Sequence, residues 1–264
     1  MNNRPVIAAV IAGGRWKGET PAGMTEWRAL SPVAGRPMVA YILDALAAAK
    51  TIHDTILVGP PELSEAFPSI HRLDPTPTLT GNVLAVSQYA AGKGRILLVG
   101  SDIPLLTPQS VDNFIHACSS TDAKLYYPVI PKDVVLSRYP DMRRTFLKLR
   151  DGVYTGGNLI LADPQFLLDS GPKVQALYNA RKSPFGIARI LGPQLLIRMV
   201  LTAAAGIPLL DIPLAARLVG RALGAPVAGI TVNDPEIGAD LDSIDELPAF
   251  ERALQQIECV GHEA

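Results

Sequence analysis

Asp102 follows an unbroken apolar run, and this placement predicts a carboxylate at the end of a buried strand. Residues 96–100 are apolar or Gly, and a Ser-Asp-x-Pro turn stops them. A short run of this kind is typical of a strand buried on both faces of a parallel sheet. Ligands of open α/β sheets bind at the carboxyl ends of the strands, and a rigidly held acid there suits a hard cation. Asp102 could instead cap the helix that starts at Pro108. Because Thr107 can already serve as that cap, we favour cation binding as the role of Asp102.

A second acidic pair lies near the end of the chain, where Asp240 and Asp242 are two residues apart. Side chains at i and i+2 share one face of an extended segment, so both carboxylates can point at the same spot. The alternative is that Asp242 caps the last helix, although Ser243 can perform that role itself.

The first apolar strand, Val6 to Ile11, is followed by Gly13, Gly14 and a polar loop that reaches Gly35. Glycines after a first parallel strand let backbone N–H groups approach an anion closely, and Arg15, Lys17 and Arg28 add positive charge. The loop lacks the spacing of a dinucleotide-binding fingerprint and the Gly-Lys-Ser/Thr ending of a P-loop.

Two amides are further candidates for ligand contacts. Asn82 lies where a helix begins and can either read the edge of a base or serve as an ordinary cap. Asn158 follows Gly156 and Gly157, which permit close backbone approach. The basic residues between 138 and 150 lead into this segment, and they indicate either an acceptor that carries phosphate or carboxylate, or a solvated surface.

Alternating strand and helix patterns position these residues and predict an α/β fold with a mainly parallel sheet. With 264 residues and a formal net charge of −1, the chain suits one large domain and has no global basic field for nucleic acid. Cys118 and Cys259 are the two cysteines, so neither a disulfide frame nor a cysteine-built metal site is expected. No apolar segment approaches the roughly 20 residues that span a bilayer, and we expect a cytoplasmic protein without a transmembrane segment.

We expect a single domain over residues 1–264, with a helical insertion over residues 172–225. Pro172, Pro184, Pro193 and Pro208 are expected to separate successive helices in this part of the chain. The insertion is rich in Leu, Ile and Ala, and we interpret it as a small helical cap or a homodimer surface; a membrane-surface helix is the alternative.

Several segments together resemble the molybdenum-cofactor guanylyltransferase-like (MobA-like) nucleotidyltransferases. They are AAVIAGG, the stretch RALSPVAGRPMVAYILDAL from Arg28 to Leu46, LLVGSDIPLLT, TGGNLILADP and DLDSIDEL. The resemblance covers nearly the whole chain except about residues 172–225. It implies the nucleotide-diphospho-sugar transferase fold, a Rossmann-like sheet flanked by helices, and an enzyme that joins an NTP to an anionic acceptor and releases pyrophosphate.

The resemblance also implies roles for individual residues. Asp102 and Asp242 match the residues that bind Mg²⁺, whereas a metal role for Asp240 stays open. Arg28 matches a lysine that contacts the α-phosphate, and arginine offers a planar fork instead of a point donor. Either Arg15 or Lys17 stands in for the loop arginine of the family. The residues expected to contact the nucleotide or acceptor are Ala12, Gly13, Gly14, Arg15, Lys17, Asn82 and Asn158.

Two other functions fit the sequence. A glycosyl transferase of the same fold would use a nucleotide-sugar as donor, but it ordinarily carries Asp-x-Asp where this chain reads Ser101, Asp102 and Ile103. A catalytically degenerate nucleotide-binding protein is the other alternative, and the altered glycine loop and the replaced lysine support it.

Overall fold

A computed structural model describes residues 4–16, 18–140, 142–180, 184–192, 194, 197–198, 201 and 208–261. The strands are β1 Val6–Ile11, β2 Pro32–Val33, β3 Arg36–Pro37, β4 Ile52–Val58, β5 His71–Leu73, β6 Arg95–Gly100, β7 Leu125–Pro131, β8 Leu147–Leu149, β9 Gly152–Gly156, β10 Leu159–Ala162 and β11 Val227–Thr231. The α-helices are α1 Met38–Ala48, α2 Glu62–Ala66, α3 Leu79–Ala90, α4 Pro108–Cys118, α5 Lys132–Arg138, α6 Pro164–Ala180, α7 Pro184–Leu191, α8 Ile212–Leu223 and α9 Leu247–Gly261. Short 3₁₀ helices cover Arg28–Leu30, Pro235–Gly238 and Ile244–Glu246.

Within the described residues, one sheet contains all the strands except β2 and β3, which pair with each other. The order along the sheet is β5-β4-β1-β6-β10-β7-β9-β8, and β11 pairs with β7. The first half of the chain builds a parallel unit, in which β1 pairs with β4 and β6, and β4 with β5. The α/β prediction is therefore confirmed, and the end of β1 is brought beside the end of β6.

Antiparallel pairings, together with the parallel pair of β7 and β11, complete the second half of the sheet. Strand β10 runs antiparallel to β6 and β7, and β9 runs antiparallel to β7 and β8. The two-residue turn between β8 and β9 is too short for a crossover helix, and such a connection imposes antiparallel pairing. The register sets Leu159 against Val99, which brings the chain around Asn158 to the carboxyl end of β6.

Helices cover both faces of the sheet, and the alternation of side chains along β1 explains why. Ala8 and Val10 belong to one apolar cluster, which includes Ile42 of α1 and Phe114 of α4. Ile7 and Ala9 belong to a second cluster, formed with residues of α3 and α6. Since successive side chains of a strand point to opposite faces, a strand covered by helices on both sides must be apolar throughout.

The prediction that Pro172 separates two helices is wrong. Helix α6 is continuous through this residue, although proline removes one hydrogen bond from a helix interior. Contacts on both sides of the proline hold the helix in place, because Leu167 before it is buried in the core shared with α3 and Val174 after it packs against the same core. A Cβ on Gly171 would lie 3.2 Å from the side chain of Leu84, so the two helices are in close contact there.

The other predicted boundaries in this part of the chain have different outcomes. A helix does begin at Pro184, whereas Pro193 lies outside the described residues. Leu218 and Leu223 of α8 are buried. The division into one domain with an insertion over residues 172–225 stays a prediction. Among the helices that the structure describes, none is both long and apolar enough to cross a membrane.

Candidate active site

Asp102 lies in the turn after β6, at the carboxyl end of the sheet, and buried neighbours fix its position. Ile103 and Leu105 are at most 1% exposed, so the turn is anchored in the core on both sides. The turn ends where the Thr107 side chain accepts a hydrogen bond from Ser110 N at the start of α4. Thr107 therefore caps this helix as predicted, which leaves the Asp102 carboxylate available for other partners.

The segment that carries Asp242 is tied directly to the Asp102 turn. Leu241 N donates to the backbone oxygen of Asp102 at 2.8 Å, and Glu246 Oε2 accepts from Asp242 N at 3.3 Å. Ala239 and Leu241 are buried, whereas Asp240 and Asp242 point the other way. The prediction that these two acids share one face is confirmed, because their oxygens and that of Asp102 all lie within 4.8 Å of one another.

The guanidinium of Arg28 joins Asp102 to Asp242. Its Nη2 donates to Asp102 Oδ2, and its Nη1 donates to Asp242 Oδ1 at 3.0 Å. The side chains of Arg28 and Asp102 are 14% and 16% exposed, whereas Asp242 is 48% exposed. A planar fork with donors on two nitrogens can bridge two carboxylates in this way.

A second arginine, Arg144, enters the same cluster from the segment between α5 and β8. Its Nη1 forms an ion pair with Asp240 Oδ1, and its Nη2 donates to Gly156 O at 3.1 Å. Sequence reasoning grouped Arg144 with a basic patch and did not predict its partner. The Asp-x-Asp spacing was the signal that Asp240 belongs to the site, but no local pattern linked it to Arg144.

The electrostatics of this cluster follow from its burial and from its excess of carboxylates. Burial raises the pKa of Asp102, and Asp242 raises it further, while the Arg28 guanidinium opposes both effects. Burial lowers the pKa of Arg144, which the nearby acids and Tyr127 counteract. Three carboxylates face two guanidinium groups, so the site retains an excess of negative charge that favours an additional cation.

The glycine loop lies beside this cluster. Ala12 is fully buried, and its N–H donates to Val58 O at 2.7 Å, whereas Gly14 O accepts from Arg28 N at 3.0 Å. A Cβ on Gly14 would meet no atom within 4 Å, and one on Gly13 would make only ordinary contacts. The loop therefore has open space on the side where the backbone of Gly14 could approach a ligand.

Arg15 contacts groups outside the cluster of Asp102, Asp240 and Asp242. Its guanidinium forms an ion pair with Glu26 and lies 4.4 Å from the centre of the Trp27 ring. Lys17 lies outside the described residues. Which of the two replaces the loop arginine of the resembled family therefore stays open.

The two amides have different surroundings. Asn82 is buried in α3, where its Oδ1 accepts from Thr76 N at 2.6 Å and from the Thr76 hydroxyl at 2.9 Å. The cap of α3 is Thr78, which excludes the role of an ordinary helix cap for Asn82. Asn158 is half-buried beside the Asp102 turn, and its backbone oxygen accepts from Gly100 N at 3.1 Å. Contacts of either amide with a nucleotide stay predictions.

The basic residues between 138 and 150 do not form one patch. Arg144 is engaged with Asp240, and Arg150 forms an ion pair with Asp211 at 2.6 Å. Arg138, Arg143 and Lys148 are exposed. These three remain the candidates from this segment for contact with an anionic acceptor.

Comparisons with known proteins agree with the fold. A family model described as a MobA-like NTP transferase domain matches residues 8–150. A solved structure from Thermus thermophilus, described as a hypothetical transferase, is 31% identical, with a TM-score of 0.79, over 92% of this chain and 99% of that chain.

Two curated relatives match a shorter part of the chain. A bifunctional protein GlmU of Rhodospirillum rubrum is 33% identical over 121 residues, which are 42% of this chain and 25% of that protein. A probable molybdenum cofactor guanylyltransferase of Thermococcus gammatolerans is 32% identical over 111 residues, 42% of this chain and 55% of that protein. The matched part thus spans a quarter to just over half of the length of these relatives.

Proposed function

The chain belongs to the MobA-like NTP transferase family, and on that premise we propose that it transfers a nucleoside monophosphate from an NTP to an anionic acceptor and releases pyrophosphate. The observation that carries the proposal is the convergence of Asp102 and Asp242 on one guanidinium beside the glycine loop. These three residues come from distant parts of the chain, and together they provide the charges that phosphoryl transfer requires.

The residues present fit a divalent cation such as Mg²⁺. Asp102 and Asp242 offer hard oxygen ligands, and the acid oxygens lie within 4.8 Å of one another. Two oxygens on one Mg²⁺ stand at most about 4.2 Å apart, so only a small side-chain adjustment is needed. The half-exposed Asp242 leaves room for water and substrate phosphates, which usually complete a Mg²⁺ site. When bound, the ion would neutralise phosphate charge and bring the α-phosphate to the acceptor.

Arg28 would exchange its partners during the reaction. Without ligand it neutralises the two carboxylates, and in the reactive complex it would donate to the α-phosphate of the NTP. Arg28 belongs to the 3₁₀ helix Arg28–Leu30 and to no strand of the large sheet, so a change of partner by its side chain leaves the pairing of β1 and β6 in place. The backbone N–H groups of Gly13 and Gly14 would hold the β- and γ-phosphates.

No covalent nucleophile of the protein is required, because the acceptor oxygen itself attacks the α-phosphorus and pyrophosphate leaves. Alignment of the two reactants and screening of their repulsion can supply most of the rate. The segment Gly156 to Asn158 and the exposed Arg143 and Lys148 would bind the acceptor anion. We also propose that residues 172–225 form a homodimer surface. This surface contributes no catalytic residue.

The function is tested by incubating the purified full chain with each of the four NTPs, Mg²⁺ and a panel of phosphorylated and carboxylated acceptors, and measuring pyrophosphate. We expect release with at least one pair and its loss in Asp242→Asn. The matched control is Asp44→Asn, because Asp44 is an exposed acid paired with Arg36 outside the cluster. Equal release by the two variants would contradict the metal role of Asp242.

The engagement of Arg28 by both acids also favours a second candidate, a nucleotide-binding protein without catalysis. In that case the guanidinium would block the cation site permanently. Arg28→Met separates the two functions, since methionine removes the guanidinium that would block the site. Under the proposed function this variant loses turnover, because the donor to the α-phosphate is gone, whereas a blocked site would gain pyrophosphate release that the wild-type chain lacks. The glycosyl transferase alternative is weaker, because Ile103 is fully buried where a second acid is expected.

A further inference from the structure

Asp240 is the third acid of the cluster, but its environment differs from that of Asp102 and Asp242. The side chain of Asp240 is 18% exposed and forms an ion pair with Arg144, whose side chain is 12% exposed. Asp242, by contrast, is 48% exposed and shares the Arg28 guanidinium with Asp102. The pair of Asp240 with Arg144 is thus more deeply buried than the contact of Arg28 with Asp242, and about as buried as the contact of Arg28 with Asp102.

The Arg144 guanidinium is held on two sides. Besides the ion pair with Asp240, its Nη2 donates to the backbone oxygen of Gly156, which belongs to β9. Its Nε is buried and has no hydrogen-bond partner among the described residues. Withdrawal of Arg144 would leave the carboxylate of Asp240 buried without a counter-charge, which is strongly unfavourable. The guanidinium of Arg28, by contrast, donates to the carboxylates of Asp102 and Asp242 and, within the part of the chain that the structure describes, to no backbone oxygen.

We propose that Arg144 is a positioning residue that withholds Asp240 from the cation, so that the protein supplies two carboxylates instead of three. The proposal rests on the proposed function, because the cation concerned is the one that Asp102 and Asp242 would bind. Two acids leave coordination positions for water and substrate phosphates, as Mg²⁺ requires, whereas a third acid favours the larger ligand number of Ca²⁺. Arg144 would thereby set both the affinity and the selectivity of the site.

The test measures binding of Mn²⁺, as a spectroscopic substitute for Mg²⁺, by electron paramagnetic resonance on the full chain with and without NTP. The decisive variant is the double substitution Arg144→Met with Asp240→Asn, because it removes both charges of the pair together. We expect its Mn²⁺ affinity to stay within about threefold of wild type, while Asp242→Asn loses at least about tenfold.

The single variants supply the controls. Arg144→Met releases Asp240, so we expect at least about fivefold tighter Mn²⁺ binding and new inhibition of Mn²⁺ binding by Ca²⁺. Arg144→Lys keeps a counter-charge and is expected to bind Mn²⁺ like wild type. If Arg144→Met does not fold, the charge-neutral double variant still decides the question.

A tenfold loss of Mn²⁺ affinity in the double variant would overturn the proposal, since Asp240 would then be a ligand. Unchanged affinity and selectivity in a folded Arg144→Met would overturn it as well. Failure of the proposed function is seen separately, in the wild-type chain. If wild type binds Mn²⁺ with NTP but releases no pyrophosphate, transfer is refuted while the role of Arg144 stands. If wild type binds no Mn²⁺, both are refuted.

Discussion

Asp102→Asn should separate activity from stability, because the same carboxylate is needed for chemistry and is unfavourable in the fold. The substitution keeps the shape of the side chain but removes one of three negative charges that lie within 4.8 Å of one another. Burial and the neighbouring Asp242 already raise the pKa of Asp102 in spite of the Arg28 guanidinium. At neutral pH an amide therefore removes the cost of burying a charge as well as the repulsion by Asp242, although it also weakens the contact with Arg28.

The magnitude follows from the separation of the charges. Two unit charges at 4.8 Å repel by about 3.5 kcal/mol at an effective dielectric constant of about 20. The 48% exposure of Asp242 screens this repulsion strongly, and the lost attraction to Arg28 is larger than the repulsion by Asp242. The gain therefore comes from the cost of burying a charged carboxylate, which a neutral amide does not carry. A net gain of roughly 0–1 kcal/mol remains, which corresponds to a Tm between the wild-type value and about 4 °C above it. Pyrophosphate release should fall by at least about 10²-fold, the usual cost of removing one electrostatic stabiliser of a transition state.

Asp112 supplies a matched control, since it is another buried aspartate but lies far from the acid cluster, in α4. Its carboxylate accepts hydrogen bonds from Lys50 N at 3.1 Å, Thr51 N at 2.9 Å and the Thr51 hydroxyl at 2.6 Å. In Asp112→Asn at least one of these donors loses its acceptor, at a cost of about 1–3 kcal/mol. We expect its Tm to fall by about 3–10 °C while pyrophosphate release at 20 °C is retained.

The assay is differential scanning fluorimetry of the three proteins together with initial rates of pyrophosphate release. Opposite patterns in the two variants are expected: Asp102→Asn inactive and stable, Asp112→Asn active and less stable. The reasoning is refuted if Asp102→Asn keeps more than a tenth of the wild-type rate, or if its Tm falls as far as that of Asp112→Asn.

Three further results are expected. Gly14→Ala should fold with an unchanged Tm, because its Cβ meets no atom within 4 Å, but the increase in stability on adding NTP should be at least about threefold smaller. Gly59→Ala is the control. Its Cβ would lie 2.5 Å from the side chain of Leu63, so we expect a lower Tm without ligand. Burial raises the pKa of Asp112, but hydrogen bonds from Thr51 and Lys50 outweigh it and hold this pKa below 3.8. Its stabilisation is therefore complete above about pH 5 and is lost as the pH falls below about 4, so urea unfolding should show the difference between wild type and Asp112→Asn shrinking from pH 7 to pH 3. Burial raises the pKa of Cys118 to about 12, so in a Cys259→Ser variant a disulfide reagent at pH 8 should react with Cys118 only after urea is added, and fast reaction without urea would contradict its burial.

Much of the fold could be predicted because the relevant signals are local. The apolar run before Asp102 gave the strand that is now β6, and Thr107 with Pro108 gave the start of α4. The two-residue spacing of Asp240 and Asp242 in an extended segment predicted that their side chains share one face, as they do. Pro172 shows where such reasoning fails: a proline disfavours a helix interior locally, but contacts of α6 with α3 decide whether the helix continues.

The sequence by itself determined the chemical groups of the site and the strand ends that carry them, because the period of apolar residues and the turn residues act over a few positions. Only the tertiary structure decided which charges meet. Arg28 reaches Asp242 across 214 residues of sequence, and Arg144 selects Asp240 although Asp242 lies two positions away. These pairings depend on the order of the strands and on the burial of each side chain, and electrostatic energies depend on distance and burial that no local pattern specifies.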